Sequence, residues 1–145
     1  MIKPVPLSYA PQMAALHKDG FAKGWPEGDF SAHIENPLDD VLGYFDKDIL
    51  GGFIIMRTGD DQAEILTIVV GKARRRDSLG VQLLRAGEQA STARGADIIF
   101  LEVAKDNPAA LTLYRQAGYQ PCGVRPRYYR RPRGRVDALL FQKRF

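Results

Sequence analysis

Apolar and polar residues recur along this chain with two periods, and the two periods predict a mixture of helices and strands. A helical spacing of apolar positions marks four segments, 11–21, 28–35, 78–94 and 108–117. Runs rich in β-branched and aromatic residues predict strands at 41–45, 49–57, 63–71, 97–103, 119–125 and 136–141, and residues 2–7 are compatible with one more. The predicted order is therefore α-α-β-β-β-α-β-α-β-β.

This order predicts the α/β (α+β) class with a single sheet. Residues 63–71 and 97–103 are apolar enough to be central strands, and the longest predicted helix, 78–94, connects them as a strand–helix–strand unit. The polar residues 46–48 predict a hairpin turn between the two preceding strands. Because there is no internal repeat and no low-complexity linker, residues 1–145 are predicted to form a single domain.

Composition narrows the class of protein further. A chain of 145 residues with 45% hydrophobic residues is long enough to bury a sizeable core, which excludes a disordered chain, a collagen-like repeat and a coiled coil. No apolar run approaches the ~20 residues of a membrane-spanning helix, and the N-terminal residues lack a secretory signal pattern. We therefore expect a soluble, cytoplasmic protein without a membrane partner.

The candidate metal ligands and nucleophiles are few. His17 and His33 have no metal-ligand spacing, which indicates structural or surface roles and predicts no metal site. Cys122 is the single cysteine, so an intramolecular disulfide is excluded. It lies in no motif that would make it a nucleophile, and we expect a buried or partly buried thiol.

Positive charge is concentrated at the C-terminal end. Residues 121–145 contain eight arginines and lysines against one aspartate, a net charge of +7, so residues 1–120 carry −3 of the overall +4. Arginines in this segment are interleaved with Tyr128 and Tyr129, a composition that suits contact with RNA. The same composition also suits the solvated loop of a β-hairpin.

The first segment with a chemical interpretation is the loop that enters the helix 78–94. It consists of Arg75, Arg76, Asp77, Ser78, Leu79 and Gly80. Unpaired N–H groups and the positive end of the helix dipole make such a helix start suitable for a phosphate, and arginines add charge-assisted hydrogen bonds. The alternative is a solvated basic turn in which Ser78 is an ordinary N-cap.

The second segment runs from Asn107 to Tyr119 and is more specific. Its tyrosines and leucines could simply be core residues. However, the segment matches N-x-x-A-x-x-L-Y-x-x-x-G-[FY], about thirty residues after a loop similar to [RQ]-x-x-G-x-G. This combination resembles the GCN5-related N-acetyltransferase (GNAT) family, and the resemblance covers nearly the whole chain. Within the family the sequence is most similar to the bacterial ribosomal-protein alanine N-acetyltransferases (RimI-like).

The resemblance implies a fold, a cofactor and a set of site residues. The fold is a single mixed, mostly antiparallel sheet of six to seven strands flanked by about four helices. The donor is acetyl-CoA, without a metal. By position, Glu102 is implied as the general base and Tyr114 as the general acid, while Trp25, Tyr128 and Tyr129 would line the acceptor groove. The implied cofactor-binding residues are Ile68, Val69, Val70, Arg75, Arg76, Asp77, Ser78, Leu79, Gly80 and Asn107.

The loop departs from the family pattern at one position. Ser78 stands where the first loop glycine is expected, and Asp77 precedes it. The serine Cβ restricts the approach of a phosphate to the backbone, and the aspartate brings a negative charge near an anion. A relative that binds acetyl-CoA poorly and has lost activity is therefore one alternative.

The function implied by these residues is acetylation of the N-terminal α-amino group of a ribosomal protein. Two further alternatives stay open at this point. One is acetylation of another amine, a lysine or a small molecule. The other is a non-catalytic module that contacts RNA or the ribosome through Arg125–Arg135.

Overall fold

The computed structural model describes residues 1–21, 23–75 and 77–145, and its central feature is one seven-stranded sheet. The strands are β1 (Ile2–Pro4), β2 (Asp39–Asp46), β3 (Ile49–Gly59), β4 (Gln62–Val70), β5 (Ile98–Ala104), β6 (Gln120–Arg131) and β7 (Gly134–Arg144). Their order across the sheet is β1-β2-β3-β4-β5-β7-β6. Only β4 and β5 pair in parallel, so the predicted mixed, mostly antiparallel sheet is confirmed.

Four α-helices accompany the sheet, close to the predicted positions. They are α1 (Ala10–Gly20), α2 (Glu27–Glu35), α3 (Leu79–Ala93) and α4 (Pro108–Gln116). Short 3₁₀ turns at Leu7–Tyr9 and Lys72–Arg74 precede α1 and α3. None of the helices described is long and apolar enough to cross a membrane.

The helices cover both faces of the sheet, and each face has its own hydrophobic core. On one face, Leu79, Leu83 and Leu84 of α3 and Tyr114 of α4 pack with strand residues such as Ile99. On the other face, the buried residues of α1 and α2 pack against the outer half of the sheet, with Met13, Phe30, Phe53, Ile55 and Val69 at the centre. Alternate residues of β3 therefore serve the two cores, with Ile54 and Met56 in the first and Phe53 and Ile55 in the second.

The parallel strands β4 and β5 pair over only part of their length. Their register runs from Gln62↔Ile98 to Ile65↔Leu101 and ends there. Next to the end of this pairing, a β-bulge at Leu66 interrupts the pairing of β4 with β3. Met56 of β3 pairs with Ile65, and the preceding residue, Ile55, pairs with Thr67. Leu66 therefore has no partner on β3. Beyond this point β4 continues beside β3 and β5 continues beside β7, so a gap opens between residues 66–70 and residues 102–104.

Two sequence expectations near the C-terminus are wrong. The arginine-rich residues 126–135 were expected to be a loop, but β6 extends to Arg131 and β7 begins at Gly134. Cys122 is exposed rather than buried. Both errors have one cause, since β6 is the edge strand of the sheet and its side chains face solvent almost throughout. Charged residues are common on such edges and do not prevent pairing on the other side.

Candidate active site

The gap between β4 and β5 is the centre of the candidate site. Ile68, Val69 and Val70 lie on the part of β4 that borders it. Alternate backbone N–H and C=O groups of this part point towards β5, where no strand pairs with them. A ligand that carries amide groups can satisfy such an exposed edge by adding to it as a short strand would.

Glu102 stands at the point where the gap begins. It is the first residue of β5 beyond the paired stretch, and its side chain is 25% exposed. Strand alternation places it on the same face as Phe100, opposite to the core residues Leu101 and Val103. The guanidinium of Arg125, on β6, holds one carboxylate oxygen at 2.7 Å.

Tyr114 and Tyr129 approach the gap from α4 and β6. Tyr114 is only 5% exposed and packs edge-to-face on Tyr119 with ring centroids 5.8 Å apart. Burial, and secondarily the neighbouring Tyr129, raises the pKa of the Tyr114 hydroxyl well above 10, so it remains protonated at neutral pH. Burial and then the charge of Glu102 raise the pKa of Tyr129. Tyr129 therefore lies within electrostatic reach of both Glu102 and Tyr114, and the structure brings these three predicted residues together.

The loop before α3 contains a left-handed residue at Ser78. Its backbone has φ 66° and ψ 12°, a conformation that glycine adopts readily and serine adopts at a cost. The Ser78 side chain does not cap the helix; instead, Asp77 Oδ1 accepts a hydrogen bond from the Leu79 N–H at 3.3 Å. The alternative in which Ser78 is an ordinary N-cap is not found, because its hydroxyl caps no backbone N–H and accepts from Gln82 Nε2 at 3.3 Å.

The basic residues of this loop have different partners. Arg74 forms an ion pair with Asp46 and lies over the ring of Tyr44, so its charge is already matched. The Nε of Arg75 donates to the carbonyl oxygen of Val70 at 3.4 Å, which brings its guanidinium to the end of β4 beside the gap. Arg76, also predicted to bind cofactor, lies outside the described residues.

Gly80 and Asn107 lie at the starts of the two helices that flank the gap. A Cβ added to Gly80 would make ordinary van der Waals contact with the Leu113 side chain of α4, at 3.6 Å. Asn107 is the N-cap of α4, and its Oδ1 accepts from the Ala110 N–H at 3.2 Å. In the described part of the chain its two amide N–H donors have no partner, which leaves them available to a ligand.

The predicted acceptor residues occupy two places. Tyr128 is 52% exposed beside Tyr129, with ring centroids 5.1 Å apart. Trp25 lies in the segment between α1 and α2, where it packs on His17 and Phe30 and donates its backbone N–H to His17 Nδ1 at 3.2 Å. Trp25 is thus anchored to the helices of the second core, apart from the two tyrosines.

The sequence interpretation missed part of the site. A cavity of about 380 Å³ adjoins Glu102 on its own face of the sheet, and its lining includes Arg57, Gln62, Glu64 and Arg125. The alternation of side chains along β4 could have predicted that Glu64 lies on this face. No sequence pattern near Arg125 indicates that its side chain reaches Glu102. Over the described residues, no cluster of three or more potential ligands is suited to a metal ion.

Comparison with known proteins identifies the family. Residues 10–119 match the sequence profile of the Acetyltransferase (GNAT) family. The chain belongs to this family. The predicted resemblance to this family is confirmed.

Named relatives lie within the family. The chain is 37% identical over 110 residues to the N-alpha-acetyltransferase RimI of Mycobacterium tuberculosis, a match covering 73% of this chain and 68% of that protein. It is 37% identical over 123 residues to an uncharacterised protein of Mycobacterium leprae, covering 82% of this chain but only 33% of that longer protein. Among solved structures, the ribosomal-protein-S18-alanine N-acetyltransferase from Escherichia coli superposes with a TM-score of 0.90 at 25% identity, covering 98% of this chain and 91% of that one.

The left-handed conformation of Ser78 leads to a testable prediction. Replacing it with glycine removes the steric cost of the left-handed conformation, and we expect the free energy of unfolding to rise by roughly 0.5–1 kcal/mol. The same change removes a Cβ from the loop that is predicted to bind the phosphates, so acetyl-CoA should bind several-fold more tightly, measured by calorimetry. Lys47→Gly is the matched control, since Lys47 also has a positive φ of 56° but lies in the β2–β3 turn. Equal acetyl-CoA affinity in all three proteins would contradict the proposed position of the phosphates.

Proposed function

We propose that this chain is an acetyl-CoA-dependent N-acetyltransferase that modifies the N-terminal α-amino group of a ribosomal protein. The observation that carries the proposal is the gap between β4 and β5 with Glu102 at its start and Tyr114 and Tyr129 beside it. The names of the M. tuberculosis relative and of the E. coli structure support the choice of an α-amino group on a ribosomal protein. Acetyl-CoA and ribosomal proteins meet in the cytoplasm, where we propose that the enzyme acts.

The residues around the gap fit acetyl-CoA. Backbone groups of Ile68, Val69 and Val70 that lack a strand partner would pair with the amides of the pantetheine arm, and the free amide donors of Asn107 would hold the same arm. The start of α3 and its loop, Arg75, Arg76, Asp77, Ser78, Leu79 and Gly80, would hold the pyrophosphate. When bound, acetyl-CoA supplies an acetyl thioester whose carbonyl a backbone N–H of β4 can polarise.

Glu102 and Tyr114 would perform the proton transfers. The amine must lose a proton before it attacks, and an α-ammonium group has an ordinary pKa of about 8, so Glu102, acting through one water, needs to provide only modest help. Tyr114 retains its proton because burial raises its pKa. It would donate that proton to the sulfur as the carbon–sulfur bond breaks and the amide bond forms.

The acceptor peptide would lie on the face of the sheet where Glu102 points. Tyr128 and Tyr129 on β6 and Trp25 before α2 would line the acceptor groove, since each combines an apolar ring with a polar group. An extended peptide N-terminus could make backbone hydrogen bonds between the diverging strands, as in other strand-addition complexes. Tight packing around its first α-carbon would favour a small residue such as alanine.

A nucleic-acid role for Arg125–Arg135 has weaker support. Two of the arginines are already matched, Arg125 by Glu102 and Arg131 by Asp106 at 2.8 Å. The other arginines of this segment lie on the edge strand β6 and at the turn between β6 and β7. There they could make a weak contact with RNA or the ribosome near the acceptor site. We therefore propose such a contact only as an aid to docking of the protein substrate.

Mass spectrometry of acetylated peptides tests the function directly. The enzyme is incubated with acetyl-CoA and an alanine-initiated peptide that contains an internal lysine, and the acetylated nitrogen is identified by fragmentation. We expect acetylation of the α-nitrogen alone and none of a matched peptide whose N-terminus is blocked. Transfer to the lysine, or to a small amine such as a polyamine with no reaction at the peptide N-terminus, would replace this proposal with the other acceptor class.

A further inference from the structure

The end of the β6–β7 hairpin projects past the strand beside it. β7 pairs with β5 only as far as Ala138, opposite Ala104, whereas β6 and β7 pair with each other up to their turn. Among the described residues, 129–136 therefore pair only within the hairpin. These residues, here called the hairpin end, include Tyr129 of the proposed acceptor site.

An irregularity in β6 separates the hairpin end from the regularly paired part of the strand. The register with β7 shifts between Arg125 and Tyr129, and Arg127 in this interval has a left-handed backbone with φ 52°. A bulge of this kind bends the strand and changes the direction of the residues that follow it. The position of the Tyr129 ring therefore depends on the contacts of side chains as well as on strand pairing.

The guanidinium of Arg131 joins the hairpin end to the loop before α4. Its Nε donates to Asp106 Oδ2 at 2.8 Å and its Nη2 to Asp106 Oδ1 at 3.0 Å, while Nη1 donates to the carbonyl oxygen of Arg130 at 2.9 Å. Of the ion pairs between described residues, this one alone connects the hairpin end to another part of the chain. Partly exposed ion pairs contribute little on average, but the bidentate geometry fixes the plane of the guanidinium.

The fixed guanidinium lies against the ring of Tyr129. Its Cζ is 5.4 Å from the ring centroid, within the range of a cation–π contact. The hydroxyl at the far end of the ring is close enough to Glu102 and Tyr114 for electrostatic interaction with both. Asp106 lies in the loop that leads into α4, the helix that carries Tyr114. One ion pair therefore ties an acceptor-site tyrosine to the loop before the helix of the proposed general acid.

We propose that Asp106 and Arg131 are positioning residues for the acceptor site, which hold the Tyr129 ring beside the gap where it contacts the incoming peptide. This inference rests on the proposed function. Neither residue touches the reacting atoms, and both act through Tyr129. Loss of the ion pair should therefore weaken peptide binding more than it slows the chemical step, and it should leave acetyl-CoA binding unchanged.

Steady-state kinetics of Asp106→Asn test the role in acceptor binding. The variant removes the charge of the carboxylate with almost no change in shape. We expect the KM for an alanine-initiated peptide to rise about two- to fivefold, the size of one exposed cation–π contact, with a smaller change in kcat. The affinity for acetyl-CoA, measured by calorimetry, should equal that of the wild type. In a Tyr129→Ala background Asp106→Asn should have no further effect on KM, because the two changes remove the same contact.

Asp40→Asn is the matched control. Asp40 also accepts from two nitrogens of an arginine, Arg94 Nε at 2.8 Å and Nη2 at 3.2 Å, but Arg94 follows the end of α3 that is remote from the gap. This variant loses an ion pair of similar geometry and should keep the wild-type KM. An equal rise of KM in both variants would mean that the effect is a general loss of stability and would overturn the proposal.

Fluorine NMR locates the Tyr129 ring without any acceptor. The proteins are labelled with meta-fluorotyrosine, and the signal of Tyr129 is assigned by its absence from Tyr129→Phe. We expect this signal to shift or broaden in Asp106→Asn and to stay in place in Asp40→Asn. A Tyr129 signal that is the same in Asp106→Asn and wild type overturns the positioning role.

The remaining failures are distinguishable. A changed Tyr129 signal with an unchanged peptide KM, or a rise in KM that persists in the Tyr129→Ala background, overturns the role in acceptor binding. A wild type that acetylates no peptide α-amino group overturns the proposed function and the acceptor role with it. In that case the fluorine signal still decides whether Asp106 and Arg131 position Tyr129.

Discussion

Tyr114→Phe is expected to lower kcat for acetyl transfer by about a hundredfold, with little change in the stability of the protein. General acid catalysis contributes typically 10²–10⁴-fold, and the buried hydroxyl of Tyr114 is a weaker acid than free tyrosine because its pKa is raised. The loss should therefore lie near the lower end of that range. The measurement is the rate of CoA release with a saturating peptide, compared between wild type and variant.

Tyr119→Phe provides the matched control for this experiment. Tyr119 is as buried as Tyr114 and packs on it, but its hydroxyl donates to Glu88 at 2.8 Å rather than facing the gap. Its loss should cost roughly 1.5–3 kcal/mol of stability, the range for a hydrogen bond to a charged group, and leave kcat near the wild-type value. If Tyr114→Phe and wild type release CoA at the same rate, Tyr114 is a core residue and not the general acid.

The stability of the fold should decrease by roughly 3 kcal/mol as the pH falls from about 6.5 to about 4. The reason is His17, which is 1% exposed, stacks on Phe21 and packs against the rings of Trp25 and Phe30. Burial lowers the pKa of His17 from 6.5 to about 4. Between these values the unfolded chain binds a proton that the folded protein does not, so acid favours unfolding in that window. Urea unfolding at a series of pH values measures the effect.

His17→Phe isolates this contribution from those of other titrating groups. Phenylalanine keeps an aromatic ring in the stack but removes the titrating group, and it also removes the Nδ1 acceptor of the Trp25 N–H. The variant should be about 1 kcal/mol less stable at pH 7 and should lose less stability than wild type between pH 6.5 and 4. Curves for the two proteins that run parallel throughout this range would contradict the assignment.

The elements and the family could be read from the sequence because both depend on local patterns. The apolar patterns of α3 and α4 and the β-branched run of β4 act over a few residues, and the structure has these elements within one or two residues of their predicted bounds. The roles of Glu102 and Tyr114 followed from motif positions and stay predictions.

The geometry of the candidate site could not be predicted in the same way. The gap opens where the pairing of β4 with β5 ends, and that pairing joins residues more than thirty positions apart. Ser78 has the backbone conformation of a glycine because the turn into α3 requires it, whatever residue the sequence supplies. The exposure of Cys122 and the length of β6 follow from the place of that strand at the sheet edge.

The sequence by itself therefore determined the helices and strands up to the C-terminal hairpin, the family, and the candidates Glu102, Tyr114 and Asn107. Only the tertiary structure decided which charged side chains form ion pairs. Arg125 reaches Glu102, Arg57 is held by Asp39, and Glu64 lines the same cavity as both arginines. Helix and strand periods reflect forces between near neighbours in the chain, whereas the electrostatics of a site depend on side chains that only the folded sheet brings together.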